Sequence, residues 1–156
     1  MYLGLMSKYV QGFFKPKNPQ KYIGDISQIV FRSSFEYKAF QWCDETTNIL
    51  EWASEAIPIR YFDPTSMKHR RYFPDLYIKV KEKDGKIKKY IIEIKPERQL
   101  SPPKQSAKKK TKTFINESIT WERNCSKWQA AERFCEINEM EFMKITEYDL
   151  GLKKKI

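Results

Sequence analysis

The chain has 156 residues, 40% hydrophobic and 15% aromatic, enough apolar material for a single domain with a core of ordinary size. Three cysteines (Cys43, Cys125, Cys135) make no Cys-x-x-Cys pair and the single histidine, His69, has no companion at ligand spacing, which argues against structural zinc and for reduced thiols. No apolar run approaches the roughly 18 residues of a membrane span and no export signal is read at the N-terminus, so a soluble, unexported protein without a membrane partner is expected.

The formal net charge is +10, and residues 79–112 hold 13 Lys or Arg against four acids. A basic block on an otherwise balanced surface is the footprint of a polyanion partner such as DNA. A solvated lysine-rich hairpin and loop explains the same charges equally well.

In chain order, residues 1–30 have little periodicity and contain Lys15-Pro16-Lys17-Asn18-Pro19, which predicts an irregular arm whose aromatics pack on the domain. Ser33 and Glu36 have the form of a capping box, and Phe35, Ala39, Trp42 and Cys43 then mark an amphipathic helix to about Glu45. Ile49 to Ala53 and Ile57 to Phe62 read as short strands, the second carrying Pro58 at an edge, followed by a polar loop from Asp63 to Arg71. Tyr72 to Val80 and Ile87 to Lys95 read as an antiparallel hairpin turning at Asp84-Gly85. Leu100 to Lys112 reads as an exposed basic loop, and Trp121, Cys125, Trp128, Ala131 and Cys135 mark a second helix from about Glu117 to Asn138. Glu141 to Thr146 is the expected last strand, brought parallel to an inner one by that helix, and residues 147–156 form a basic tail. The order implies an α/β fold: one domain over residues 1–156, with a central mixed β-sheet flanked by helices between the arm and the tail.

The strongest local signal is Pro74-Asp75 on one hairpin strand and Glu93-Ile94-Lys95 on the other. Strand period puts Glu93 and Lys95 on one face and Ile92 and Ile94 on the other. Asp75 joins them only if the turn is the three-residue loop Lys83-Asp84-Gly85, with Gly85 left-handed. Paired positions then sum to 168 and Asp75 faces Glu93, whereas a two-residue turn would put it on the wrong face. Facing carboxylates repel unless a cation lies between them, and hard oxygen ligands favour Mg²⁺ or Mn²⁺. Lys95 would then stabilise charge on phosphoryl oxygens or orient an attacking water, with the Ile94 carbonyl as a further ligand. That chemistry is metal-assisted phosphodiester hydrolysis.

Pro-Asp, a hairpin and Glu-x-Lys after Tyr90-Ile91-Ile92 resemble the PD-(D/E)XK nuclease superfamily, whose fold is restriction-endonuclease-like. The resemblance implies that Glu36, on the preceding helix, completes the metal site; as part of a capping box it could equally bond the Ser33 backbone. Lys15-Pro16-Lys17-Asn18-Pro19 through Lys21-Tyr22, then Arg32-Ser33-Ser34-Phe35-Glu36, is similar to the head completion nucleases of T-even-type tailed phages, over roughly residues 10–146. This implies endo- or exonuclease action on DNA in head-to-tail joining, with head or portal/neck proteins as partners and a location in the host cytoplasm during assembly or in the virion. A non-catalytic connector or DNA-retaining plug, and a free resolvase-like endonuclease, are the rival readings.

Structural alternatives stand beside each assignment. Glu93 and Lys95 could be an edge-strand ion pair worth about 0–1 kcal/mol, and Asp75 a turn residue after Pro74. Arg32 contacts phosphate or pairs with Glu36. Lys68, Arg70 and Arg71, with His69, line a DNA groove or a solvated loop. Lys104, Lys108, Lys109, Lys110 and Lys112 track the DNA backbone or belong to a disordered loop. Oligomeric state is not legible.

Overall fold

The computed structural model describes residues 11–105 and 111–152. Ser33 opens helix α1 (Ser34–Glu45): its extended backbone leaves the hydroxyl free to accept the Glu36 N–H at 3.1 Å. Ala39 and Cys43 of this helix are buried, as the spacing predicts, together with Phe40, while Trp42, expected on the same face, is exposed. Its C-terminal end is capped from the arm. The Lys21 ammonium donates to the carbonyls of Cys43, Asp44 and Thr46 at 2.7–2.8 Å, matching cation to the negative end of the helix dipole. The buried Asp44 carboxylate accepts the backbone N–H groups of Lys17 and Asn18 at 2.8 and 2.9 Å. The described part of the arm is therefore fixed, with strand β1 (Gly12–Phe13) paired to β2 (Val30–Phe31), and Phe14 buried edge-on against Phe40 and Trp52.

Strands β3 (Ile49–Ser54), β6 (Leu76–Lys81), β7 (Ile87–Ile94) and β8 (Glu141–Ile145) form a mixed four-stranded sheet in the order β3-β6-β7-β8. Only the β7–β8 pair is parallel, as expected of a last strand delivered by a crossover helix. That helix, α2 (Lys112–Ile137), and α1 cover opposite faces. Ile92 and Ile94 of β7 join the core under α1 with Trp52, Leu76 and Ile78, whereas Phe142 of β8, cross-strand from Ile91, packs toward Ala131 and Phe134 of α2. The fold is the α/β, restriction-endonuclease-like arrangement the sequence implies.

The β6–β7 hairpin has the 168 register throughout, from Leu76↔Ile92 to Lys81↔Ile87. Glu82 N–H bonds the Lys86 carbonyl and Gly85 sits at φ +85°, so Lys83-Asp84-Gly85 is the three-residue loop that register needs.

Three expectations are corrected. The stretch Asp63 to Arg71 is not one loop. Strand β4 (Ile59–Asp63) pairs antiparallel with β5 (Lys68–Tyr72) in a separate two-stranded ribbon, placing Lys68, Arg70 and Arg71 on a strand. Lys68-His69-Arg70-Arg71 shows no apolar alternation because its pairing partner, not its own burial, makes it a strand. The expected strand from Tyr72 is interrupted: Phe73-Pro74-Asp75 links β5 to β6, Pro74 offering no N–H to a ladder. Helix α2 starts at Lys112, not near Glu117, with the Thr111 hydroxyl accepting the Phe114 N–H.

The ribbon is bolted to α2 through Asp63, which is fully buried. Burial works against its charge, but hydrogen bonds from Thr65 and Ser66 and the Arg123 guanidinium at 3.0 Å hold the carboxyl well below the usual range.

Candidate active site

Asp75 immediately precedes β6, where the 168 register carries it opposite Glu93. On its other side, the β3–β6 register extends one step past Ser54↔Leu76, and the Glu55 N–H donates to the Asp75 carbonyl at 3.1 Å. Three acids thus lie in a row across three adjacent chain segments, Glu55, Asp75 and Glu93. The Asp75 carboxylate accepts the Ile94 N–H at 2.7 Å. Ile94 thus contributes its amide to the site, holding Asp75 in place.

Glu36 reaches the same place from the first turn of α1. Its carboxylate accepts the Arg32 N–H rather than that of Ser33, a variant of the expected capping box. One carboxylate oxygen each from Glu36, Glu55 and Asp75 lie within 4.8 Å of one another. Glu36 therefore serves as a cap and as a cluster member at once. The Arg32 guanidinium pairs with Glu55 at 2.9 Å rather than with Glu36.

Glu93 stands outside that oxygen cluster. Its carboxylate, buried on the α2 face, accepts a short hydrogen bond from the Tyr72 hydroxyl and lies 3.5 Å from the Lys95 ammonium. Glu93 and Lys95 share a face, as strand period requires, and the pair is largely buried rather than an exposed pair on a sheet edge.

Electrostatics marks the centre of the site. Burial and the nearby Glu93 charge push the Asp75 carboxyl well above its ordinary range, against the Ile94 N–H and the Lys95 charge. Burial also raises Glu36, with Glu55 adding repulsion against the Arg32 N–H. Burial and the Glu93 carboxylate raise the Tyr72 hydroxyl. Lys127 of α2 lies over the Tyr72 and Tyr61 rings at 5.5 and 5.9 Å; burial lowers its ammonium while Glu93 works the other way. An all-oxygen donor set with mutually repelling carboxylates, one held near a cation, fits a hard divalent ion.

The sequence reading missed Glu55, Tyr72 and Lys127. Glu55 looks like a separator between strands, and only the β3–β6 register places it beside Asp75. Its φ of +50°, uncommon for a residue with a side chain, is a signal visible only in three dimensions. Tyr72 looks like an ordinary strand residue, and Lys127 a solvated helix position.

The basic candidates spread more widely. Arg70 is taken up by Asp63 at 3.2 Å, while Arg71 lies over the Phe73 ring at 5.8 Å and Lys68 is exposed at the ribbon tip. Lys104 lines a groove of about 600 Å³ with Arg98 and Trp121, and Lys112 is exposed at the start of α2. Lys108, Lys109 and Lys110 lie outside the described residues.

The model of the family described as TnsA-like endonuclease N terminal matches residues 46–147, a span that contains Asp75, Glu93 and Lys95 and begins beyond Glu36. The head completion nuclease of Enterobacteria phage T4 is 39% identical over 139 residues, covering 87% of this chain and 90% of that protein. No solved structure matches the chain significantly. With its acidic cluster at the hairpin, its buried Glu93–Lys95 pair and these two matches, the chain belongs to the TnsA-like endonuclease N-terminal family.

Proposed function

We propose that this protein is a Mg²⁺-dependent deoxyribonuclease acting in phage head completion, where it hydrolyses phosphodiester bonds of DNA. The observation that carries the reading is Asp75: a half-buried carboxylate flanked by Glu36, Glu55 and Glu93, raised by desolvation and then by the Glu93 charge, near the Lys95 ammonium. Such an arrangement is costly to the fold and useful to a nuclease.

Glu36, Glu55 and Asp75, whose carboxylate oxygens converge, would hold the cation, with Glu93 as the further ligand the motif assigns. Bound there, it supplies Lewis-acid polarisation of the phosphoryl oxygen and a lowered pKa for an attacking water. The protein's own groups do the positioning. Tyr72 holds Glu93 through its hydroxyl, and the Ile94 N–H holds Asp75, which restricts both carboxylates beside the site. Lys95, fixed by Glu93, presents positive charge where negative charge accumulates on the phosphoryl oxygens. Arg32 is held at the site margin by Glu55, beside the path a phosphate backbone would take.

The head-completion role is carried to this chain by the T4 relative. Head or portal/neck proteins would be the partners, with the host cytoplasm during assembly and the virion as locations. Plasmid and linear DNA incubated with the protein in Mg²⁺, Mn²⁺ or EDTA, beside Glu93→Ala, test the chemistry. Cleavage is expected from the wild type with Mg²⁺ or Mn²⁺, and neither in EDTA nor from the variant. Cleavage surviving EDTA or the substitution would sink the site, and binding without cleavage would favour a DNA-retaining plug. Mass spectrometry of particles and assembly intermediates tests the role; absence from both removes it.

A further inference from the structure

The β4–β5 ribbon has two unlike faces. Ile59, Tyr61 and Asp63 point inward to α2, and the outward positions are Arg60 and Phe62 on β4 with Arg71 and His69 on β5. Arg60 is directly cross-strand from Arg71, and Phe62 from His69. Like charges in that relation destabilise a ribbon. Among residues 59–73 the single acid is Asp63, which is buried and already held by Arg70 and Arg123. Neither Arg60 nor Arg71 makes an ion pair among the described residues, so an anion across the pair is what would relieve the repulsion.

The same face exposes rings. Phe62 is 42% and Phe73 44% exposed, Phe62 and His69 meet edge-on at 5.2 Å, and the Arg71 guanidinium overlies Phe73. Arginines interleaved with exposed aromatics suit a strand whose bases are unstacked, because phosphates take the charges and base faces take the rings. Duplex DNA offers no free base faces. A groove of about 590 Å³ continues the surface toward α2, lined by Arg60, Phe62, His69, Gln129 and Arg133. The inner end of β5 is Tyr72, which holds Glu93, and Asp75 follows three residues later.

We propose that the outer face of β4–β5 binds a single-stranded stretch of DNA adjoining the active site, with Arg60 and Arg71 on phosphates and Phe62 stacked on a base. The choice of DNA rests on the nuclease reading. The ribbon then selects substrates with an unpaired segment beside the scissile bond.

Binding is measured in EDTA, by fluorescence anisotropy, to a mixed-sequence single-stranded oligonucleotide and to a blunt duplex of the same sequence. Phe62→Ala is expected to weaken single-strand binding roughly ten-fold, the scale of one base stack, with duplex binding unchanged. Phe62→Trp should restore it, and Arg60→Gln with Arg71→Gln should lower it further. Equal loss for both ligands, no loss, or failure of the Trp variant to rescue overturns the inference. Wild type that binds the oligonucleotide through Phe62 but cleaves nothing upholds this surface and removes the nuclease reading. Mg²⁺-dependent cleavage with single-strand binding indifferent to Phe62 does the reverse.

Discussion

Asp75 accepts the Ile94 N–H at 2.7 Å, yet burial and the Glu93 carboxylate both disfavour its charge. A carboxyl raised in the native state binds its proton more tightly there than in the unfolded chain. Between the ordinary carboxylate pKa and the raised one the folded protein therefore holds more protons, and stability falls as pH rises. Asp63, whose carboxyl is lowered, acts in the opposite sense, so the Asp75 contribution is read as a difference. Urea midpoints of metal-free wild type and Asp75→Asn should diverge in favour of the variant as pH rises from about 4. A gap that is constant or closes over that range contradicts the assignment of Asp75 as a charge held against its environment. Tyr72→Phe removes the donor to Glu93 and should cost about 1–3 kcal/mol in the same measurement at neutral pH.

At the scale of elements, the β6–β7 hairpin decides whether the acids meet. Gly85 at φ +85° closes its loop, with no heavy atom within 4 Å of the position a Cβ would take. Gly85→Ala should therefore cost about 1–2 kcal/mol from backbone strain alone, with the denaturant slope and DNA cleavage unchanged. Loss of cleavage in a folded Gly85→Ala would show that the turn does more than set register. Asp84-Gly85 made the hairpin legible in sequence, but its register followed only from the face requirement on Glu93 and Asp75, which selects the three-residue loop over a two-residue turn. Of the ribbon only β4 was legible, its inward positions alternating, whereas the exposed, basic β5 shows no alternation without knowledge of its partner. Glu55 was hidden for a related reason: pairing between β3 and β6, separated by the whole ribbon, leaves no local trace. Glu36 was legible as a cap, and its place in the cluster followed from resemblance, since α1 reaches Asp75 through tertiary packing alone.

For the whole molecule, the +10 charge is unevenly used. Arg70, Arg123 and Lys21 serve the fold, whereas Arg60, Arg71, Lys68, Lys104 and Lys112 make no ion pair among the described residues. DNA affinity should fall linearly with salt on logarithmic axes, and replacing Lys104 and Lys112 by Gln should lessen the slope by roughly one unit for each phosphate those lysines neutralise. A slope unaffected by both changes would assign those lysines to solvation. The choice between DNA surface and solubilising charge for the basic block is decided there.

The central claim is that the acids around Asp75 are kept for chemistry at the expense of stability. Its most direct test is Asp75→Asn measured two ways in one preparation, by thermal unfolding without metal and by plasmid cleavage with Mg²⁺. A folded variant with a higher Tm, by at least about 2 °C for a gain near 1 kcal/mol, and no cleavage is expected. A variant that melts below wild type, or that still cuts DNA, would contradict it.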